Sequence, residues 1–179
     1  MATVYQMHHL ADYPQEIGGW LWGLEDARKR TKQVIRGLDQ AVLDWQGEDD
    51  SENAIGSLLY HLALVEMAWL YEDVLCQPDA TKDYPQKYPW PMGSKGRLSP
   101  VLGISLEEHI ARLDTSRATF LEHLKTVTLD DWGRLRNPED TDYQVSPAWV
   151  LFHLVEHEAS HTGQMSIMKK RAQKALAIS

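Results

Sequence analysis

Residues 153–164 read HLVEHEASHTGQ and place His153, His157 and His161 four residues apart. On a helix this spacing puts all three on one stripe, because each residue advances about 100°. With His157 at the centre, His153 and His161 lie roughly 40° to either side and Gln164 roughly 20° away. Val150 and Met168 share that sector, and Leu154 and Met165 sit on its shoulder. A helix turns an apolar stripe of this kind toward the core. The stretch therefore predicts a long helix whose inward face carries imidazoles. Glu156 on one side, and Glu158 and Lys169 on the other, mark its exposed flanks.

Working outward, the 3.6-residue period predicts three further long helices. The first runs from about Gln15 to Gly37 and carries Trp20, Trp22, Leu24, Val34 and Ile35. The second starts near Asn53, a good N-cap, and runs to about Cys76, where Pro78 stops it. The third opens on Ser105-Leu-Glu-Glu108, a capping-box pattern, and runs to about Lys125. The histidine helix is the fourth. It opens on Ser146-Pro147, a cap followed by a first-turn proline, and continues past Lys170.

A faint internal repeat ties these segments together. SLLYHLALVE at 57–66 matches WVLFHLVEHE at 149–158, with His61 opposite His153. Each copy follows a tryptophan segment, LDQAVLDW ending at Trp45 and VTLDDW ending at Trp132. The repeat predicts two helical hairpins related by pseudo-symmetry, packed as an all-α four-helix bundle over one domain, residues 1–179. Residues 78–105 join the middle helices and hold five of the eight prolines. A loop this long is usually functional. Tyr84, Tyr88 and Trp90 give it something to pack with, so it reads as a lid over a pocket or a structural crossover.

Composition narrows the function classes. The net charge of -8 argues against sequence-independent nucleic-acid binding, which needs clustered Lys and Arg. The one basic run, ARKR at 27–30, reads as a solvated helix face. No apolar run approaches the roughly 18 residues of a membrane span. The N-terminal segment lacks the pattern of a signal peptide. Cys76 is the sole cysteine, which excludes an intrachain disulfide and suits a reducing cytoplasm. It reads as a plain buried or half-exposed cysteine.

Two readings compete for the histidine stripe: core packing or metal binding. Histidines at i and i+4 lie close enough to chelate one ion. The second helix offers a matching face, with Ala54, Ser57, Leu58, Leu64, Val65, Ala68 and Trp69 around His61. An imidazole from there would complete a three-nitrogen face with positions left open, the pattern of a catalytic metal site. Without a metal, each buried imidazole needs another partner, such as Ser57 or Tyr60. Spacing leaves open which three bind, since His153 with His157 is as good a pair as His157 with His161. His8 and His9 precede the first helix, and His109 and His123 read as surface groups.

HEASHTGQM resembles the C-terminal HxxxHxGQ signature of the DinB/YfiT-like metalloenzyme family, and SLLYHLALVEMAWL resembles that family's second-helix signature. The resemblance covers nearly the whole chain. It implies an up-down four-helix bundle, often a homodimer, with a divalent metal (Zn, Ni, Fe or Mn) held by His61, His157 and His161. His153 is then left as a pocket or supporting residue. The chain departs from the commonest form at Ser160 and Thr162, where the family often has His and Arg, so the anionic substrate accepted can differ. Members with assigned activity include transferases and isomerases that use a low-molecular-weight thiol, and others are called hydrolases. The resemblance thus implies a small-molecule substrate.

A cation held by neutral histidines lowers the pKa of a bound water or thiol. No general base stands out, since Glu66 and Glu158 lie off the histidine stripes and Glu72 lies about three turns from His61. Gln164 falls on the stripe one turn beyond His161, placed to hydrogen-bond a ligand imidazole or to pack. The alternative function is a non-catalytic, metal-binding, stress-associated bundle. If the 78–105 loop covers a cavity at the metal, the enzyme reading gains; if side chains fill that space, the binding reading gains. The small outward face of Val155, Ala159, Gly163 and Ser166 predicts an interface, either with helix one or with a second subunit in a homodimer.

Overall fold

Ser105 and Glu108 form the capping box that their spacing predicts, with Ser105 Oγ accepting the Glu108 N–H and the Glu108 carboxylate accepting the Ser105 N–H. Such reciprocal capping satisfies donors that a helix start leaves unpaired. In this computed structural model the helix it opens is α5, Leu106–Leu124. The other long helices are α1 (Gln15–Ile35), α3 (Ile55–Ala68) and α7 (Pro147–Ala175), and a single turn, α4 (Tyr84–Lys87), lies between α3 and α5. Ser146 caps α7 by accepting the Trp149 N–H, and Pro147 occupies the first turn. The short helices α2 (Gln40–Asp44) and α6 (Leu129–Trp132) precede α3 and α7. They are the two tryptophan segments of the repeat. The structure describes residues 2–93, 96–139 and 141–177, and within these the side chains of Tyr84 and Pro85 lie outside the description.

The all-α architecture is as expected, with three local corrections. Ala54, not Asn53, occupies the cap position of α3, because the Asn53 side chain instead accepts the Leu98 N–H at 2.9 Å. The second helix is not α-helical to Cys76. It widens into a π-helical turn at Trp69–Val74, and Cys76 follows in a left-handed conformation, exposed. Wide turns of this kind often sit at functional sites. The third correction concerns pairing. The most extensive helix contacts are α1 with α7 and α3 with α5, rather than within the expected hairpins of α1 with α3 and α5 with α7. Small residues permit the first pair: a Cβ on Gly23 would stand 4.0 Å from Val155 Cγ2. The small face of α7 is thus partly covered by α1, although Ala159 and Gly163 remain exposed.

The core is built largely where the stripes predict. Val150, Leu154, Met165 and Met168 of α7 are buried, as are Ser57, Leu58 and Val65 on the His61 face of α3, while Leu64, Ala68 and Trp69 of that face are half-buried. Charged residues join them against expectation. Glu158 is 3% exposed rather than a surface flank, and Arg28 of the supposedly solvated basic run is 4% exposed. His109 is no surface group either. It is 1% exposed, tucked where a Cβ on Gly56 would come within 3.0 Å of its Nε2. The absent side chain at Gly56 is what admits the ring. His123 is half-buried, with Nε2 3.3 Å from the Tyr71 hydroxyl.

Neither ring nitrogen of His109 has a hydrogen-bond partner among the described residues. Burial, aided by the Arg112 charge and opposed by Asp44 and Glu108, holds its pKa down to about 4, from 6.5. The folded state therefore binds this proton less readily than the unfolded chain. Its contribution to stability is fully present above pH 6.5 and is lost as the pH falls toward 4. We expect wild type to lose about 3 kcal/mol more than His109→Leu between neutral pH and pH ~4 in urea unfolding. Parallel losses in the two proteins would rule this out.

Candidate metal centre

His61 sits mid-way along α3, and His157 and His161 one turn apart on α7. The packing of α3 against α7 brings their rings together. His61 Nε2 lies 3.1 Å from His157 Nε2, and His161 Nε2 lies 3.0 Å from the same atom. One nitrogen from each ring falls within 4.8 Å of the others, and all three residues are half-buried. Each outer ring is oriented from behind. His161 Nδ1 is 2.9 Å from Gln164 Oε1, and His61 Nδ1 is 3.1 Å from Met92 Sδ. A carbonyl oxygen and a thioether sulfur only accept, so both Nδ1 atoms carry the hydrogen. Both Nε2 lone pairs then face His157.

That arrangement cannot be satisfied by hydrogen bonds alone. His157 Nε2 carries at most one hydrogen and cannot donate to two lone pairs at full strength. A cation accepts all three. Two nitrogens bound tetrahedrally at ~2.0–2.1 Å from one ion lie about 3.3 Å apart, close to the spacings found here. Protonation state agrees. Burial first, then the neighbouring His161, holds His61 down to about 4. Burial first, then His161, His61 and His153, holds His157 down to about 3. Both are neutral at pH 7, the form that binds metal. The partners considered for a metal-free stripe are taken elsewhere: Ser57 Oγ accepts the Val101 N–H, and the Tyr60 hydroxyl donates to Trp90 O.

His153 is not among the converging nitrogens. Its ring stacks on Trp149, 5.1 Å between centroids and 5° from parallel, and meets Trp69 edge-on at 5.0 Å. His157 lies on its other side at 5.7 Å. It is the spacer between the histidine cluster and a group of aromatic rings.

The 78–105 segment does close over His61. Tyr60 anchors it, donating to Trp90 O at 2.9 Å and accepting the Trp90 N–H at 3.1 Å. Tyr88 and Trp90 meet the Tyr60 ring edge-on. The Tyr84 side chain, expected to help, lies outside the described residues. Between this flap and His61 only about 10 Å³ remains, too little for more than one water. A separate recess of about 350 Å³ opens on the Gln164 side, lined by Arg97 and Arg171 among others.

Behind the histidines lies a feature the sequence reading missed. Glu66 and Glu158 are locked between two arginines. Arg28 donates to Glu158 at 2.7 Å and Glu66 at 3.3 Å; Arg117 donates to Glu66 at 2.6 Å and Glu158 at 3.0 Å. Ser116 donates to Glu66 and Thr31 to Glu158. Two positive and two negative buried charges from α1, α3, α5 and α7 thus pair with one another, and Arg117 also donates to the half-buried Glu25 at 2.7 Å. Burial would push the Glu66 pKa up, but Arg117 and Arg28 outweigh it and hold it low. Engaged in this way, neither carboxylate is available as a general base. One signal could have found them: the repeat sets Glu66 opposite Glu158. The arginines leave no such trace.

Gln164→Leu removes the acceptor that orients His161. We expect divalent-metal affinity to fall about 10–100-fold with the fold intact. Competition titration against a chromophoric chelator measures it, and an unchanged affinity would show that Gln164 only packs.

A helical bundle whose interior gathers three imidazoles on two helices defines a class of candidate metal-centre proteins. Residues 23–165 match the DinB superfamily, and the chain belongs to that superfamily. In fold it is similar to a conserved protein of Enterococcus faecalis known from a crystal structure, with a TM-score of 0.59 at 11% identity. The alignment covers 86% of this chain and 94% of that one. No curated protein matches the chain significantly. None of the described helices is long and apolar enough to cross a membrane.

Proposed function

We propose that the protein is a metal-dependent enzyme acting on a small molecule, in which His61, His157 and His161 hold a divalent ion: Zn, Ni, Fe or Mn. The observation that carries this reading is the convergence of three Nε2 atoms that hydrogen bonding cannot satisfy. When bound, the cation supplies Lewis acidity and lowers the pKa of a thiol or water at its open position. A thiol-cofactor-dependent S-transferase, or a related hydrolase, is the activity this suits, with a low-molecular-weight thiol as co-substrate. Gln164 and Met92 keep the ligand rings in one tautomer. The flap from Trp90 to Met92 shields His61 from water, and substrate entry requires either its displacement or approach from the Gln164 side. Work in the cytoplasm fits the sole, exposed cysteine.

The second reading, a non-catalytic metal-binding bundle, is favoured by one observation: the space under the flap at His61 is filled. Elemental analysis of untagged protein beside His157→Ala tests the shared premise. About one equivalent of a divalent metal, lost in the variant, is the expected result. Metal-free wild type that takes up no Zn, Ni or Mn would end both readings. A screen of thiols with electrophiles on the loaded protein then separates them.

A homodimer is also proposed. A groove of about 660 Å³ runs between α1 and α7 past Trp20, Trp22, Val155 and Ala159, and Val4, Tyr5 and Met7 stand exposed at the same chain end. A second copy would cover these apolar surfaces. Light scattering at micromolar concentration is expected to give twice the chain mass, and a monomer would overturn it.

A further inference from the structure

The histidine cluster is not the only built feature of this face. On the far side of His153, the structure opens a recess of about 340 Å³ lined by Trp69, Trp149, Tyr143, Leu135 and Val145. Trp69 stands at its centre, 5.6 Å from the Trp149 ring and 6.3 Å from the Tyr143 ring. Trp149 is 47% exposed and Tyr143 42% exposed, an unusual display for such large apolar groups. They are held rather than loose. His153 stacks against Trp149 and abuts Trp69, while the Tyr143 hydroxyl donates to Asp73 at 2.7 Å.

The electrostatics of the recess are negative. A phenol that donates to a carboxylate gains electron density in its ring, which strengthens the attraction of that face for a cation. Asp73 is 5% exposed and sits directly behind Tyr143. Glu72 and Asp142 add their charges at Tyr143. The nearby cations are engaged: Arg134 and Arg136 pair with Asp131, and Arg136 also donates to Val74 O. The net charge of -8 draws cations toward the whole molecule.

We propose that this recess is a binding site for a small organic cation with a compact alkylated ammonium head, seated against Trp69, Trp149 and Tyr143. Aromatic faces attract such a head electrostatically, and a methylated ammonium loses little hydration on entering. A simple hydrated metal ion would lose far more. A neutral aromatic guest would use the same walls but gain nothing from Asp73. The site requires no metal at the histidine cluster, since His153 stands between them.

The test is a titration of the full chain with choline and with its uncharged isostere 3,3-dimethylbutan-1-ol, followed by tryptophan fluorescence and calorimetry. Choline is expected to bind saturably and roughly tenfold or more tighter than the isostere, by the cation–π contribution. Trp149→Leu, at a half-exposed position, and Tyr143→Leu are each expected to weaken choline by about tenfold while leaving the isostere within a few-fold. His161→Ala is expected to bind choline as wild type does, whatever its metal content. Equal affinity for the two probes, no saturable binding of choline, or its loss in folded His161→Ala would each overturn the proposal. Failure of the metal reading would show in elemental analysis instead, and would leave these titrations unchanged.

Discussion

Arg117→Met is expected to lower stability by about 3–5 kcal/mol, the range for removing one partner from a buried charge pair. Arg117 bridges both buried carboxylates, with Glu66 at 2.6 Å and Glu158 at 3.0 Å, and also donates to Leu24 O at 2.9 Å. The substitution leaves Arg28 alone between two carboxylates with nowhere to go, and desolvation of the surplus negative charge dominates the cost. For a domain of this size the corresponding drop in melting temperature is about 6–20 °C. A second substitution separates charge from packing. Glu66→Gln restores one negative to one positive, so the double variant is expected to lose less than the sum of the singles. Urea unfolding of the four proteins measures the cycle. Additive losses, or a loss below about 1 kcal/mol for Arg117→Met, would mean that the quartet is not the charged keystone described here.

Metal is expected to stabilise wild type by about 3–4 kcal/mol when present at 100–1,000 times its Kd, by mass action on the folded state alone. The unfolded chain scatters His61 from His157 and His161, whereas the folded protein holds the Nε2 atoms of His61 and His161 3.1 and 3.0 Å from that of His157. Chelator-treated protein should therefore melt lower than the same protein with zinc restored, and the difference should grow with zinc concentration. His157→Ala removes the nitrogen at the centre of both contacts and is expected to abolish the difference. Wild type whose melting temperature ignores zinc across this range would show that the cluster does not hold the ion. A response retained in His157→Ala would place the ion elsewhere.

Much of the frame was legible. The caps at Ser105 and Ser146 announce two helix starts because capping is local chemistry, and local chemistry is written in adjacent residues. The histidine stripe reads as inward-facing because its neighbours Val150, Leu154 and Met168 are apolar at helical spacing. The same rule misassigned Glu158 and Arg28, whose side chains are polar by sequence but fully partnered by helices distant in the chain. His109 was misread for a related reason, since its burial depends on the missing side chain at Gly56, two helices away in sequence.

By itself, the sequence determined the four long helices, the inward stripe and the membership of His61, His157 and His161 in one resemblance-based set. Periodicity, capping and motif spacing suffice for those, because each is expressed within one helix or one signature. Only the tertiary structure decided that His61 meets His157 and His161 while His153 turns to Trp69 and Trp149. It also decided that Glu66 and Glu158 are buried between arginines, and that Met92 reaches back to His61. These are contacts between elements far apart in the chain. They depend on how α3 and α7 pack and where the 78–105 segment lands, which no single stretch of residues encodes.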